Sequence, residues 1–179
     1  MSQASVIAIC KPKTEEELTG VANVSFTVDD ETMSRFWTED ALRAFRRCGR
    51  REAAEAAHRF SENILAAKDG DAVVGMIVYC PAYENFEGEP LIPQSTLINN
   101  VYVLPQYRGR GIGRQLLDAV FTCMIPQYTA AVLYVYEENH PAKDFYLRCG
   151  FRFDGVSFSD GVIYKGRFER MVRPLLSAP

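Results

Sequence analysis

The chain has 179 residues, of which 47% are hydrophobic, and it carries a formal net charge of −3 with a sequence pI of about 5.5. This length and composition predict one globular domain, residues 1–179, and the weakly acidic balance gives no indication of nucleic-acid binding. Five widely spaced cysteines without a C-x-x-C pair, two distant histidines and no long apolar run predict a reduced cytoplasmic protein, with no disulfide frame, metal site or membrane segment expected.

The N-terminal part predicts a strand followed by a capped helix. Residues 5–10 (SVIAIC) form an apolar run typical of a first strand. Thr14 and Glu17 have the spacing of a capping box, which predicts that a helix begins there and runs towards Phe26.

A second helical region and a hairpin follow. Residues 32–60 predict helix, which Gly49 divides into two helices joined by a turn. The arginines around this glycine are interpreted as a solvated helix face, with acceptor or phosphate binding as the alternative. Residues 68–71 (KDGD) predict a hairpin turn between two strands, and residues 80–95, rich in Pro, Gly and Glu, predict a loop.

The C-terminal half alternates between strands and helices. Residues 97–103 (LINNVYV) predict a strand covered on both faces, and residues 130–136 (AAVLYVY) predict another buried strand. Between them, apolar residues repeat at helical spacing from Ile112 to Met124.

The last predicted elements complete the fold class. Pro141 fits the first turn of a further helix and Gly150 fits its C-terminal end. Residues 151–158 and 162–176 predict two closing antiparallel strands. The order of elements predicts an α/β fold with a mixed, largely antiparallel central sheet flanked by helices.

A glycine-rich stretch precedes the helix that begins near Ile112. The sequence QYRGRGIGRQLL (106–117) places three glycines and three arginines at this helix start. The first amides of a helix lack intrahelical partners and the helix dipole adds positive charge, so an anion binds there readily. Glycine lets the backbone approach, and arginine adds bidentate phosphate contacts. The stretch predicts a pyrophosphate site, with a glycine turn that has no ligand as the alternative.

The spacing of this stretch argues against the common nucleotide motifs. A P-loop requires a Lys-Ser/Thr pair after its last glycine, and a dinucleotide fingerprint requires G-x-G-x-x-G rather than the G-x-G-x-G found here. The pattern that fits is Arg/Gln-x-x-Gly-x-Gly/Ala after a strand, which Arg108, Gly111 and Gly113 match after VYVLPQY.

A second motif lies downstream of another predicted strand. Residues 138–151 (ENHPAKDFYLRCGF) match N-x-x-A-x-x-F-Y-x-x-x-G-F. Together the two motifs resemble those of the GNAT superfamily of N-acetyltransferases, over residues 97–155. The resemblance implies the GNAT fold, acetyl-CoA as acyl donor, and no metal.

The resemblance also implies roles for residues of the two motifs. The tyrosine that matches Tyr146 protonates the leaving thiolate in that family, whereas on its own Tyr146 would be interpreted as a boundary aromatic. The oxyanion contact would come from a backbone amide of Val101 or Val103 on a bulged strand. The coenzyme-binding residues implied are Val101, Tyr102, Val103, Arg108, Gly109, Arg110, Gly111, Ile112, Gly113, Arg114, Asn139, Lys143 and Tyr146.

The residues at the expected position of the general base differ from those of the GNAT superfamily. Many family members carry a carboxylate in the strand before the glycine loop, but this chain has Asn99 and Asn100 there. The base is then a water chain or a carboxylate from elsewhere, with Glu84, Glu87 and Glu137 as candidates that are otherwise ordinary surface acids. Two further alternatives are an amine that arrives already neutral, which needs no base, and an oxygen acceptor in place of an amine.

The sequence therefore predicts an acyl-CoA-dependent N-acetyltransferase that acts on a small-molecule amine. A protein or peptide N-terminus is the alternative acceptor, and a non-catalytic acyl-CoA-binding module is the alternative class. A homodimer is compatible with the resemblance.

Overall fold

The computed structural model describes residues 6–124, 127–159 and 162–175. Ser5 and Leu176, at the ends of two predicted strands, and the side chain of Met124 lie outside the described residues. The strands are β1 (Ile7–Cys10), β2 (Ile64–Asp69), β3 (Ala72–Pro81), β4 (Ser95–Val103), β5 (Ala130–Tyr136), β6 (Arg152–Phe158) and β7 (Phe168–Pro174). The α-helices are α1 (Glu15–Val28), α2 (Glu39–Arg59), α3 (Ile112–Met124) and α4 (His140–Arg148). None of these described helices is both long and apolar enough to cross a bilayer.

The described strands form one sheet in the order β1-β2-β3-β4-β5-β7-β6. Only the β4–β5 pair is parallel, and the other neighbours are antiparallel. The predicted mixed, largely antiparallel α/β fold is therefore confirmed.

The helices pack on opposite faces of this sheet, and alternation along β2 shows the division. Leu65 and Ala67 belong to the core that contains α3 and α4, whereas Ile64 and Ala66 belong to the core that contains α1 and α2. Successive strand residues point to opposite faces, so both faces of the central strands are buried. We refer to these as the α3 face and the α1 face.

The start of α1 follows its sequence signal. The backbone amide of Glu17 donates to the Thr14 hydroxyl at 3.2 Å, and the amide of Thr14 donates to the Glu17 carboxylate at 3.4 Å. The capping box is thus present, and the helix continues to Val28 before a π-helical turn at Asp29–Met33.

The predicted break at Gly49 is wrong. Residues 39–59 form one continuous helix, α2, and Gly49 is buried within it. A Cβ on Gly49 would lie 2.5 Å from the ring of Phe45, which also stacks on Phe26 with ring centroids 4.9 Å apart. This glycine is needed for the close packing of an aromatic ring, and not for a turn.

The last strand begins later than predicted. Residues 162–167 are not part of the sheet, and β7 starts at Phe168. The backbone of this segment bonds instead to the chain before α2, where the amide of Thr38 donates to the carbonyl of Ile163 at 2.8 Å and the amide of Lys165 donates to Phe36 at 2.9 Å. The segment therefore packs beside the entrance to α2.

The two parallel strands separate after a short contact. Ser95, Thr96 and Leu97 pair with Ala130, Ala131 and Val132, and no pairing of β4 with β5 continues beyond them. Only the first four residues of β4 are buried, and Asn99 is exposed, so the prediction that this strand is covered on both faces holds only for its start. The divergence opens a cleft in the middle of the sheet.

Candidate active site

The cleft between β4 and β5 has a volume of about 1290 Å³. Its walls include the second half of β4, the glycine-rich loop before α3, the first turn of α4 and the carboxyl end of β5. Because β5 has diverged, alternate backbone amides of residues 98–103 face the cleft without a strand partner there. The cleft thus offers donors from β4 and from a helix start.

A β-bulge in β4 sets which side chains line this cleft. Ile77 pairs with Val101 and Tyr79 pairs with Ile98, so Val78 on β3 faces two residues on β4, Asn99 and Asn100. The extra residue reverses the face of the sheet to which each later side chain of β4 points.

As a result of the bulge, side chains three positions apart share one face. Ile98, Val101 and Val103 all pack with the core of the α3 face, and Tyr102 packs with the core of the α1 face. If the same sequence formed a regular strand with no bulge, Ile98 would share a face with Tyr102.

The start of α3 presents unpaired amides to the cleft. The first hydrogen bond that closes this helix runs from the amide of Gln115 to the carbonyl of Gly111 at 3.0 Å. No acceptor within the described residues bonds the amides of Ile112, Gly113 or Arg114. Gly109 and Gly111 have φ of +74° and +77°, which L-residues adopt at a cost, and a Cβ on either would meet no atom within 4 Å. The space before these amides is open, as an anion site requires.

The three arginines of this loop have protein partners. Arg108 bonds Glu31 at 3.0 Å and the Val103 carbonyl at 3.1 Å. Arg114 bonds Asp118 at 3.1 Å. Anion binding here therefore rests first on the helix amides, with the arginines as additional positive charge.

Arg110 has a different environment from the other two. Its guanidinium donates to the carbonyl of Gln106 at 2.9 Å and lies 4.9 Å from the centre of the Tyr107 ring. It folds back on its own loop, and its side chain does not line the cleft.

The first turn of α4 lies opposite the glycine loop. Asn139 caps this helix by accepting from the amide of Ala142 at 3.4 Å, and it also lines the cleft. A Cβ on Gly113 would lie 3.2 Å from the ring of Phe145, so the absence of a side chain there allows α3 and α4 to approach. This contact joins the anion site to the helix that carries Tyr146.

Tyr146 lies in the wall of the cleft and is only 8% exposed. Its ring packs against Phe145 and Phe151, with centroids 5.1 and 5.8 Å away. Burial raises the pKa of its phenol well above the ordinary value, so the hydroxyl stays protonated. It has no hydrogen-bond partner among the described residues, so its proton is available to an atom bound in the cleft.

A carboxylate not identified from the sequence reaches the same region. The hydroxyl of Tyr102 donates to Asp29 Oδ1 at 2.7 Å, and Ser25 Oγ lies 3.5 Å from Asp29 Oδ2. Burial raises the pKa of Asp29 to about 6, against the lowering effect of these two hydrogen bonds. Burial and the nearby Asp29 raise the pKa of Tyr102. Tyr102 lines the cleft, so it connects this carboxyl to the site.

The sequence matches a known family over most of its length. A model of the acetyltransferase (GNAT) family matches residues 26–151. The chain belongs to the GNAT family.

Solved structures show the same fold. PH1933 from Pyrococcus horikoshii OT3 is 24% identical, covering 94% of this chain and 98% of that chain, with a TM-score of 0.69. The PaiA N-acetyltransferase from Thermoplasma acidophilum, solved with coenzyme A, is 20% identical, covering 94% and 99%, with a TM-score of 0.68. The ribosomal-protein-S18-alanine N-acetyltransferase from Escherichia coli is 13% identical, covering 97% of each chain, with a TM-score of 0.63. No curated protein sequence matches the chain significantly.

Most coenzyme-binding residues predicted from the GNAT motifs meet at the cleft. Those that line it are Val101, Tyr102, Val103, Arg108, Gly109, Gly111, Ile112, Gly113, Arg114, Asn139 and Tyr146. Lys143 does not, because it forms an ion pair with Glu169 on the α3 face of the sheet. Arg110 is the second predicted coenzyme-binding residue that does not line the cleft.

The carboxylates considered as bases are not brought to the cleft. Glu84 accepts from the amide of Gly88 at 2.7 Å within its own loop. Glu137 accepts from the amide of Arg167 at 2.9 Å, and Glu87 is exposed. None of the three lines the cleft. Within the described residues, no group of three or more His, Cys, Asp or Glu side chains is arranged to hold a metal.

Proposed function

We propose that this GNAT protein transfers the acetyl group of acetyl-CoA to the amine of a small-molecule acceptor. The observation that carries the proposal is the set of unpaired amides of Ile112, Gly113 and Arg114 at the open cleft between β4 and β5. These amides suit the pyrophosphate of coenzyme A, and the diverging strands suit its extended pantetheine arm. The coenzyme A complex of the PaiA protein supports this choice of donor.

The transfer proceeds by direct attack of the amine on the thioester carbonyl. The new C–N bond forms as the carbonyl oxygen gains negative charge, which a backbone amide of Val101 or Val103 on β4 stabilises. The C–S bond then breaks, and Tyr146 donates its proton to the departing sulfur. Holding both reactants in one cleft removes most of the entropic cost of their encounter.

The proton of the attacking amine leaves through Tyr102. Its oxygen accepts the proton from nitrogen while its own proton passes to Asp29, which already accepts that hydrogen bond at 2.7 Å. This route provides a base on a strand where Asn99 and Asn100 cannot accept a proton at neutral pH.

A titration combined with a thiol-release assay tests the proposal. We expect saturable binding of acetyl-CoA and coenzyme A, no binding of ATP, and amine-dependent release of free thiol. Coenzyme A binding without thiol release for any amine or peptide would instead identify a non-catalytic binding module. Thiol release with a peptide N-terminus alone would assign the protein to the alternative acceptor class.

A further inference from the structure

Six aromatic side chains form one wall of the cleft, which we call the aromatic wall. Its members are Phe36, Tyr134, Tyr136, Phe158, Tyr164 and Phe168. Leu133, Val135 and Met171 belong to the core of the α3 face. Their neighbours in β5 and β7 therefore point to the α1 face, away from the pyrophosphate loop. The aromatic wall thus lies where an acceptor would approach the thioester.

The members of the aromatic wall contact one another in a continuous series. Ring centroids are 5.3 Å apart for Tyr134 and Phe158, 5.4 Å for Phe158 and Phe168, and 5.9 Å for Phe168 and Tyr136. The ring of Phe36 lies 4.3 Å from that of Tyr136. Mutual packing fixes these rings, so the surface is preformed and apolar.

The charges around the cleft do not suit a polycationic acceptor. Among the described residues that line it, the only carboxylate is Glu138, and Arg35 lies 5.5 Å from the centre of the Phe36 ring in the aromatic wall. An acceptor with several ammonium groups would therefore find one carboxylate for all of them and a cation beside the wall. The faces of the aromatic wall can attract a single ammonium group.

Two segments beside the aromatic wall are held in place by contacts with the rest of the fold. The loop at 82–94 is held by Phe86, whose ring stacks on Phe158 at 5.0 Å, and by Glu89, which bonds the buried Arg170 at 3.0 Å. The segment at 162–167 is held by its backbone bonds to Phe36 and Thr38. One residue of each segment, Asn85 and Tyr164, lines the cleft, so both segments form part of its border.

The aromatic wall contains one buried polar atom with no partner. The hydroxyl of Tyr134 is inaccessible to solvent and makes no hydrogen bond with the described residues. Unpaired buried hydroxyls are uncommon in folded proteins. Because water does not reach this hydroxyl, a ligand in the cleft contacts the ring of Tyr134 and not its oxygen.

We infer that the acceptor is a primary amine carried on a compact aromatic or otherwise apolar body, of the arylalkylamine class. This inference rests on the proposed function, because it describes the second substrate of the same cleft. The aromatic wall recognises the body, its ring faces attract a single ammonium group, and the single carboxylate of the lining disfavours polyamines.

Initial rates with acetyl-CoA and three amines test the substrate class. We expect kcat/KM for 2-phenylethylamine to exceed that for spermidine and for an alanine-terminated peptide by roughly tenfold or more. Higher kcat/KM for spermidine or the peptide would overturn the inference while leaving acetyl transfer intact. Absence of thiol release with every amine, despite coenzyme A binding, would overturn the proposed function itself.

Two phenylalanines on β6 provide a matched pair of variants. Phe158→Leu removes a ring of the aromatic wall, and Phe153→Leu removes an exposed ring that does not line the cleft. We expect Phe158→Leu to raise KM for 2-phenylethylamine roughly tenfold with unchanged coenzyme A affinity, and Phe153→Leu to change neither. Equal effects of the two variants would overturn the assignment of the wall.

Tyr134→Phe tests the hydroxyl without disturbing the packing. We expect kcat/KM for 2-phenylethylamine to be unchanged and thermal stability to be retained or increased, because the removed group has no partner and the ring remains. A roughly tenfold loss in kcat/KM would show that the amine binds the hydroxyl, and would overturn recognition by the ring faces.

Discussion

The hydroxyl of Tyr102 donates a hydrogen bond of 2.7 Å to Asp29 Oδ1, which joins the cleft side of β4 to the end of α1. Asp29 lies in the π-helical turn that follows α1, and Tyr102 follows the bulge of β4. The pair places a carboxyl whose pKa is raised to about 6 one hydrogen bond away from a residue that lines the cleft.

The first prediction concerns the rate as a function of pH. Only ionised Asp29 can accept a proton, so kcat should rise as pH increases through about 6. Asp29→Asn keeps an oxygen for the hydrogen bond but removes this proton acceptor, so kcat should fall roughly 10²-fold and the rise near pH 6 should vanish. Steady-state rates between pH 5 and 8 measure both effects, and a retained rise in the variant would exclude Asp29 as its source.

The second prediction concerns the contribution of Asp29 to stability, which should fall as pH rises although the rate increases. The pKa of Asp29 in the folded protein is about 6, above its ordinary value of 3.8, so the folded state holds the proton more tightly than the unfolded state. The cost of burying the charge therefore appears as pH rises from about 4 to 6 and persists above that range. Asp29→Asn should raise Tm relative to wild type at pH 7.5 more than at pH 4, as measured by thermal unfolding at the two values.

The third prediction uses two glycines with the same backbone conformation. Gly111 and Gly88 both have φ of +77°, and a Cβ on either would meet no atom within 4 Å. Replacement by alanine should cost each roughly 1–2 kcal/mol of stability for the left-handed conformation. Only Gly111→Ala should also weaken coenzyme A binding, by roughly tenfold or about 1.4 kcal/mol, in a calorimetric titration. A similar loss of affinity in Gly88→Ala would contradict the location of the anion site.

The fourth prediction concerns Tyr146. Tyr146→Phe should lower kcat by roughly ten- to a thousandfold with coenzyme A affinity retained, because the proton donor for the thiolate is lost. An acetyl donor with a more acidic thiol needs less protonation, so the loss should shrink when an aryl thioester replaces acetyl-CoA. Tyr128→Phe, which changes a tyrosine outside the cleft, is the control. A loss of equal size with both donors would assign Tyr146 a role other than protonation.

The fifth prediction concerns the buried ion pair of Arg170 and Glu89, whose side chains are 5% and 1% exposed. Arg170→Met leaves the buried carboxylate without its cation, and Asp154 loses the same partner. The free energy of unfolding should fall by about 3–5 kcal/mol in a denaturant titration. Arg43→Met breaks an exposed pair with Asp40 and should produce no measurable change.

Local signals in the sequence predicted much of this fold. The capping box of Thr14 and Glu17 and the glycine-rich loop before α3 depend on residues close in the chain, and both lie where they were predicted. Gly49 was misinterpreted because glycine is used both at turns and beneath packed rings. The ring of Phe45 is close in sequence, but only the folded helix brings it over Gly49.

Residues that depend on distant partners could not be identified in the same way. Asp29 begins an acidic run at a helix end, which resembles a solvated terminus, and its partner Tyr102 is 73 positions away. Lys143 was predicted to bind coenzyme because it lies in the helix of the second motif. Its ion-pair partner Glu169 lies on β7, 26 positions later in the chain. In both cases the pairing is set by the sheet and not by local spacing.

The bulge at Asn99 and Asn100 also restricts how this strand can vary in length. Deleting one asparagine would leave a single residue opposite Val78, so the bulge would vanish while Val101 and Val103 kept the α3 face and Tyr102 kept the α1 face. Deleting both would exchange the two faces for every later residue of β4, bringing Tyr102 under α3 and the two valines under α1. The interior can therefore lose one residue of the asparagine pair but not two.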